Sequence, residues 1–203
     1  VGAHGANHTK QVKPNIILIN VDDLGWNNTG FMGSRYYETP NLDALAAEGM
    51  IFTNGYASAS NCAPSRACLM SGQWGPRHGI YTVGSEERPR GDSKDRKLIP
   101  TPNNMVLPDS QYTIAEALKD AGYVTCHSGK WHIGENPKTQ GFDFNIGGCE
   151  AGSPVSYYPP YVNIPLDAPS DKYHLTRLIM DKTLEFIDEV GNNRFFLNYW
   201  PYA

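Results

Sequence analysis

Two acidic residues, Asp22 and Asp23, stand side by side directly after a run of apolar residues. The run, residues 15–21, predicts a strand that is buried on both faces in a parallel sheet. In open α/β sheets, binding sites are built at the carboxyl ends of the strands. Two adjacent carboxylates at such an edge can share a hard cation, so the pair is a candidate metal site. A capped turn or a solvated acidic pair is the alternative interpretation.

A cysteine and an arginine, Cys62 and Arg66, form the second candidate group. Pro64 suits the first turn of a helix, which places Cys62 at the helix N-terminus. The unpaired backbone N–H groups and the helix dipole favour an anion there or activate a thiol. Arg66 follows about one helical turn later and can direct its guanidinium to the same place. The pattern predicts a reactive cysteine or an anion site; a small buried cysteine before a helix is the alternative.

Two cationic residues, Lys130 and His132, follow residues 123–128, which predict another strand. At the carboxyl edge of a sheet, beside a helix start that attracts anions, two cations fit a site for a charged oxyanion. As isolated residues they have another interpretation, an ordinary exposed loop, because lysine is seldom buried.

Helices and strands alternate along the rest of the sequence. A helix is predicted over residues 40–48, with Thr39 as its cap, and a short strand over residues 51–56. Thr113 and Glu116 form a capping-box pattern, which predicts the start of another helix. These elements precede the strand that leads into Lys130 and His132.

The clearest helix is predicted over residues 172–190. Its apolar residues recur at helical spacing and lie on one face. They are Leu175, Leu178, Ile179, Phe186, Ile187 and Val190. A buried strand follows at residues 195–200, whereas residues 133–170, rich in glycine and proline, are expected to be a loop or lid. The order of strands and helices predicts an α/β layered domain.

The composition argues against several classes of function. The chain has 203 residues and a formal net charge of -4, which argues against a nucleic-acid binder that works through a broad basic face. No apolar run approaches the roughly 20 residues that a membrane span needs. The four cysteines contain no Cys-x-x-Cys pair, which argues against a structural zinc site. Residues 1–13 are small and polar, so we expect a flexible arm.

The string Cys-Ala-Pro-Ser-Arg that begins at Cys62, followed by Leu69 and Ser71-Gly72, resembles the signature of the type I sulfatases. Other segments resemble the same family at the expected distances: Asp22-Asp23, residues 39–43, residues 129–134 and residues 141–144. The similarity extends from about Pro14 to the end of the chain. The sequence is therefore identified as a member of this family.

This resemblance implies a fold and an activity. The fold is an alkaline phosphatase-like α/β/α sandwich with a mostly parallel central sheet. The activity is hydrolysis of sulfate monoesters, on a sulfated small molecule or glycan. The implied nucleophile is a formylglycine (3-oxoalanine) that a maturation enzyme makes from Cys62. A periplasmic or secreted location is also implied.

The resemblance further implies roles for the candidate residues. Calcium would be bound by Asp22, Asp23 and the modified residue at Cys62. Arg66, Lys130 and His132 would surround the sulfate and orient the nucleophile. Of these, Lys130 and His132 would contact the substrate directly.

Residues 14–203 are expected to be the N-terminal portion of such a catalytic domain, because the general acid and further metal ligands of the family would follow Ala203. This piece alone is expected to be inactive. Two alternatives stay open. A phosphonate monoester or phosphodiester hydrolase of the same fold also acts on a tetrahedral anion. A catalytically inactive domain that binds sulfated glycans belongs to a different class.

Overall fold

The computed structural model of the protein describes residues 13–84, residue 97 and residues 101–202. Within them, four strands form one sheet: β1 (Ile16–Ile19), β2 (Val124–Gly129), β3 (Phe144–Ile146) and β4 (Phe195–Trp200). The order across the sheet is β1-β4-β2-β3, and every neighbouring pair is parallel. The predicted parallel sheet is confirmed. Most of the predicted N-terminal arm, residues 1–12, lies outside the described residues.

The helices cover both faces of this sheet. They are α1 (Pro40–Glu48), α2 (Cys62–Ser71), α3 (Gly75–His78), α4 (Ile114–Asp120) and α5 (Leu175–Val190). Short 3-10 helices occur at Gly30–Met32 and Pro137–Gln140. Helix α5 packs on one face of the sheet, while α2 and α4 pack on the other, which gives the expected α/β/α layers. In the described part of the chain, no helix has the length and apolar content that crossing a membrane requires.

Strand β4 contributes to the hydrophobic cores on both sides of the sheet. Phe195, Leu197 and Tyr199 belong to the core beneath α5, and Phe196 and Trp200 to the core beneath α2. Successive side chains of a strand point to opposite faces, so a strand covered on both sides is largely apolar. The exception in β4 is Asn198, which is also buried. All six of its residues are buried, which confirms the strand predicted at residues 195–200.

Helix α5 buries the predicted apolar face, and this face also contains one polar residue. Thr183 is buried on that face, and its hydroxyl lies 2.7 Å from the Ser128 hydroxyl of β2. The helix begins at Leu175, later than predicted, because His174 is its N-cap. The His174 Nδ1 accepts a hydrogen bond from the Thr176 N–H at 3.3 Å, which satisfies one of the free donors of the first turn.

The prediction that the first strand is buried on both faces was wrong. Ile16 and Leu18 of β1 pack against the core beneath α2, but Ile17 and Ile19 are 51% and 50% exposed. The physical reason is the position of α5, which packs over β2 and β3 rather than over β1. Strand β1 therefore has one uncovered face within the described residues.

Two other sequence predictions were also wrong. Residues 51–56 form no strand; they turn at Thr53-Asn54, directly before Gly55. All of them except Asn54 line an apolar groove together with residues of α1. Residues 133–170 are not all loop, since they contain the 3-10 helix Pro137–Gln140 and the strand β3. A strand of three residues is too short to show a period in the sequence.

The capping box at the start of α4 is confirmed and can be tested. The Glu116 N–H donates to Thr113 Oγ1 at 3.2 Å, and the Thr113 N–H donates to Glu116 Oε2 at 2.7 Å. Thr113 Oγ1 also donates to the Gln140 carbonyl at 2.8 Å. Replacing Thr113 with alanine is expected to lower the free energy of unfolding by about 1–2 kcal/mol. Urea unfolding of Thr113→Ala against Thr53→Ala, an exposed threonine, measures this; equal midpoints would contradict it.

Candidate active site

Cys62 is the first residue of α2 and is partly exposed. The residue before it, Asn61, is extended, and its side-chain amide donates to Thr82 Oγ1 at 3.2 Å. The next two residues, Ala63 and Pro64, are buried. The helix start is thus fixed against the protein, while the Cys62 side chain stays accessible at the end where the helix dipole favours negative charge.

Arg66 lies one turn further along α2 and is only 1% exposed. Its Nη1 donates to the Lys130 carbonyl at 2.9 Å, and its Cζ lies 4.6 Å from the centre of the Trp200 ring, a cation–π contact. Its Nη2 is 3.7 Å from Asp22 Oδ1, too far for a hydrogen bond. Within the described residues, Nε and Nη2 have no hydrogen-bond partner. The guanidinium therefore presents unpaired N–H groups inside the protein.

The side chain of Asp22 connects β1 to Lys130, the residue that follows β2. The Lys130 ammonium donates to Asp22 Oδ2, and Lys130 is 5% exposed. Burial by itself would raise the pKa of Asp22, but the hydrogen bond from Lys130 and the charge of Arg66 outweigh it and hold that pKa below its usual value. The carboxylate is therefore ionised at neutral pH and lies between two cations.

The backbone of Lys130 is held against the end of β4. The Lys130 N–H donates to the Trp200 carbonyl at 2.7 Å. The preceding Gly129 has a φ of 97°, and a Cβ built there would lie 2.0 Å from the Trp200 oxygen. Such a contact excludes any side chain, so glycine is required for the turn that brings Lys130 to the sheet edge.

His132 follows in a left-handed conformation, with a φ of 65°. Its N–H donates to the Cys149 carbonyl at 2.9 Å, while its buried Nδ1 has no partner within the described residues. Burial first, and then the charges of Lys130 and Arg66, lower the pKa of His132 to about 4. The ring is neutral at pH 7. Non-glycine residues rarely adopt this backbone conformation, and those that do concentrate at functional sites.

Asp23 also has a positive φ, of 55°, but it is exposed. Within residues 13–84, 97 and 101–202, no three His, Cys, Asp or Glu side chains come together closely enough to hold a metal ion. The structure therefore brings Asp22 beside Arg66 and Lys130 but does not gather Asp22, Asp23 and Cys62 into one cluster. Calcium binding by these three residues stays a prediction.

Comparison with known proteins identifies the family. The family model described as Sulfatase matches residues 14–201. This chain belongs to the sulfatase family. The resemblance deduced from the Cys-Ala-Pro-Ser-Arg string is thereby confirmed, as is the α/β fold class of the sulfatases.

Among its relatives is the human N-acetylgalactosamine-6-sulfatase, 34% identical over 98% of this sulfatase chain and 40% of the relative. The chain thus spans about two fifths of that protein. A solved structure of Ps i-CgsB in complex with k-i-k-neocarrahexaose is similar, with a TM-score of 0.73 and 28% identity over 95% of this chain and 45% of that one. The structure of BT4656 with its substrate D-glucosamine-2-N,6-O-disulfate has a TM-score of 0.69 and 28% identity, over 94% and 34% of the two chains.

Two residues around the candidate site were not predicted from the sequence. Trp200 supports the Arg66 guanidinium, but in the sequence it is one more apolar residue in a buried strand. For Tyr157, in the long loop before α5, burial and then the negative charge of Asp22 raise the pKa of the phenol. Its position among prolines suggests a residue that anchors the loop, and the influence of Asp22 depends on how the loop folds back.

A second histidine, His127 of β2, supports the site from beneath. It is fully buried; its Nε2 lies 3.0 Å from the Gly129 carbonyl, and its Nδ1 lies 3.0 Å from the Asn198 amide nitrogen. These partners assign the proton to Nε2, so that the neutral ring donates to the carbonyl and accepts from the amide. Burial lowers the pKa of His127 to about 3.

The sulfatase is therefore expected to lose stability in acid through His127. Between about pH 6.5, where an unfolded histidine titrates, and about pH 3, the unfolded state binds a proton that the folded state does not. The free energy of unfolding then falls by up to about 1.4 kcal/mol per pH unit for this residue as the pH is lowered. The measurement is the pH slope of urea unfolding for the natural protein and for His127→Gln, which keeps a donor and an acceptor. Equal slopes would contradict the assignment, whatever the absolute stabilities.

Proposed function

We propose that the protein hydrolyses sulfate monoesters at the site formed by Cys62, Arg66, Asp22, Lys130 and His132. The observation that carries the proposal is the buried Arg66 guanidinium, whose Nε and Nη2 lack hydrogen-bond partners within the described residues. Buried N–H groups are costly unless an acceptor reaches them. A sulfate oxygen is such an acceptor, and a guanidinium binds oxyanions through two parallel hydrogen bonds.

Lys130 and His132 complete the anion site in this proposal. An ammonium carries three N–H donors, and the contact with Asp22 uses one of them. Lys130 can therefore bind Asp22 and a sulfate oxygen together. His132, kept neutral by its burial and by the neighbouring cations, offers a hydrogen bond without a further charge. Together with Arg66, these groups stabilise negative charge on the oxygens as the ester bond breaks.

Position 62 suits the nucleophile that the family implies. A formylglycine made from Cys62 would supply, as its hydrate, one hydroxyl to attack sulfur and a second to release the sulfate afterwards. Partial exposure leaves the side chain open to substrate, and the α2 N-terminus favours a negatively charged oxygen there. Arg66 is close enough for the charge of residue 62 to act on its pKa, opposing the lowering by burial.

The donor set at the end of β1 fits a hard cation. Asp22 and Asp23 provide carboxylate oxygens, the ligands that calcium prefers, and neither is a soft donor. In the proposal, these two residues and residue 62 hold calcium, which would offset charge on the sulfate. Calcium takes six to eight oxygen ligands, so these residues are part of its shell.

Sulfated sugars are the proposed substrate class. One relative is named for N-acetylgalactosamine 6-sulfate chemistry, and BT4656 was solved with a disulfated glucosamine as its substrate. Both descriptions name an amino sugar, which supports this substrate class. A secreted or periplasmic location and modification by a formylglycine-generating enzyme accompany the proposal, as the family resemblance implies.

The mass of the proteolytic peptide that contains Cys62 tests the proposal, with full-length protein from its native host. We expect the thiol at position 62 to be replaced by an aldehyde, and the preparation to release sulfate from a sulfated amino sugar. Cys68 lies six positions further along the same helix and is buried, so its unchanged thiol is an internal control. A preparation that releases sulfate while residue 62 is an unmodified cysteine would overturn the formylglycine assignment.

A further inference from the structure

The backbone of Gly152 lies against the imidazole ring of His132. A Cβ built at Gly152 would be 2.5 Å from His132 Cε1, 2.6 Å from Nε2 and 3.0 Å from Nδ1. The similar distances to three ring atoms place this position over the face of the ring rather than beyond its edge. Real Cβ atoms do not approach so closely, so any side chain at 152 would displace the ring.

The loop that carries Gly152 is fixed on both sides of it. Before it, the Cys149 carbonyl accepts the hydrogen bond from the His132 N–H at 2.9 Å. After it, the Asn163 side chain holds two backbone groups: Oδ1 accepts from the Val155 N–H at 2.8 Å, and Nδ2 donates to the Ser153 carbonyl at 2.9 Å. The loop therefore contacts His132 at two places, the backbone N–H of His132 and its imidazole ring.

We propose that Gly152, held in place by Asn163, is a positioning residue that sets the orientation of the His132 imidazole in the active site. The inference rests on the proposed function, in which His132 contacts the sulfate and the nucleophile. His132 gains no fixed orientation from its own Nδ1, which lacks a hydrogen-bond partner within the described residues. The contact with the Gly152 backbone supplies the constraint, since a rigid surface over one face leaves the ring few rotamers.

The choice of glycine at 152 follows from space and not from backbone conformation. Its φ lies outside the range from +20° to +160°, where a side chain would strain the backbone. The nearest atoms to an added Cβ all belong to the His132 ring. The loop backbone at 152 can therefore accommodate an alanine without strain. The added Cβ would affect the site by displacing the His132 ring.

The test uses the full-length protein and an aryl sulfate as the probe. Gly152→Ala is expected to lower kcat by about tenfold to a hundredfold, because a displacement of about 1 Å at a catalytic group costs this much, and to change KM less. Asn163→Ala, which frees the loop without adding an atom, is expected to give a smaller loss of the same kind. The matched control is Gly55→Ala, where an added Cβ has its nearest neighbour at 3.6 Å and activity is expected to stay unchanged.

A double-mutant cycle decides whether the effect passes through the ring. In a His132→Ala background the obstructing ring is gone, so adding Gly152→Ala is expected to cause no further loss. An equal loss in both backgrounds would overturn the proposal, because Gly152 would then act on folding or on another group. The NMR signal of the His132 Cε1 proton gives a readout that does not need turnover: it should shift in Gly152→Ala but not in Gly55→Ala. If the natural protein cleaves no sulfate ester, the proposed function fails, and this shift or its absence still decides the placement of His132.

Discussion

Full-length protein with Cys62 replaced by alanine is expected to lose sulfate ester hydrolysis by about 10³-fold or more. The reason is chemical, since a methyl group offers no nucleophile and cannot be converted to an aldehyde. Cys62 is partly exposed at the start of α2, so its loss leaves no buried cavity, and the free energy of unfolding is expected to change little. The measurement is the rate of sulfate release at saturating substrate, with urea unfolding as a parallel check.

The matched control for this experiment is Cys68→Ala in the same helix. Cys68 is buried, and its Sγ lies 3.3 Å from His78 Nε2, away from the groups that surround Asp22. Cys68→Ala is expected to cost some stability and to keep its turnover. Turnover near the natural rate in Cys62→Ala would remove residue 62 from the mechanism and leave the anion site without an assigned nucleophile.

Replacing Arg66 with lysine is expected to lower kcat/KM by about 100-fold, although the positive charge is kept. An ammonium cannot hold the Lys130 carbonyl and also present parallel N–H groups to a sulfate, as the guanidinium can. It also loses much of the planar contact with the Trp200 ring. Rates on an aryl sulfate and on a sulfated amino sugar should fall together, because Arg66 acts on the sulfate group that both share.

Arg77→Lys is the control for this substitution, since Arg77 is exposed on α3. It is expected to keep both activity and stability. Arg66→Lys is expected to lower the free energy of unfolding by about 1–3 kcal/mol as well, because a buried hydrogen bond is weakened. If kcat/KM falls only in proportion to the fraction of protein that has unfolded, Arg66 has a structural role and no direct role in the reaction.

The elements that could be predicted from the sequence are those whose pattern is both long and locally determined. Helix α5 shows apolar spacing over more than four turns in its 16 residues, and the capping box of α4 is specified within four residues. The short strand β3 and the uncovered face of β1 depend on which element packs where. That information lies in contacts between distant residues, so no local pattern carries it.

The candidate site also has a part that a local sequence pattern predicts and a part that depends on contacts between distant residues. Cys62 and Arg66 belong to one helix turn, so their spacing alone predicts that they act together, and the structure places the charge of residue 62 near Arg66. The contact of Asp22 with Lys130 joins residues 108 positions apart. The family resemblance assigned the two residues to a metal and to the sulfate, and it did not predict that they bind each other. Trp200 and Gly152 belong to no motif that we identified. Trp200 acts through the contact of its ring with the Arg66 guanidinium, and Gly152 through the contact of its backbone with the His132 ring. Both contacts are visible only in the folded structure.

The close approach of Gly129 to the Trp200 carbonyl limits how this enzyme can diverge or be redesigned. A larger residue at 129 would separate β2 from β4, and with them the ring under Arg66 from the backbone that carries Lys130. Trp200 and Lys130 would both move, so a substitution at this position is expected to disturb the surroundings of Arg66 from two sides. In the loop at residues 147–174, by contrast, many residues are exposed. Substitutions at these exposed positions leave the contact between Gly129 and Trp200 in place.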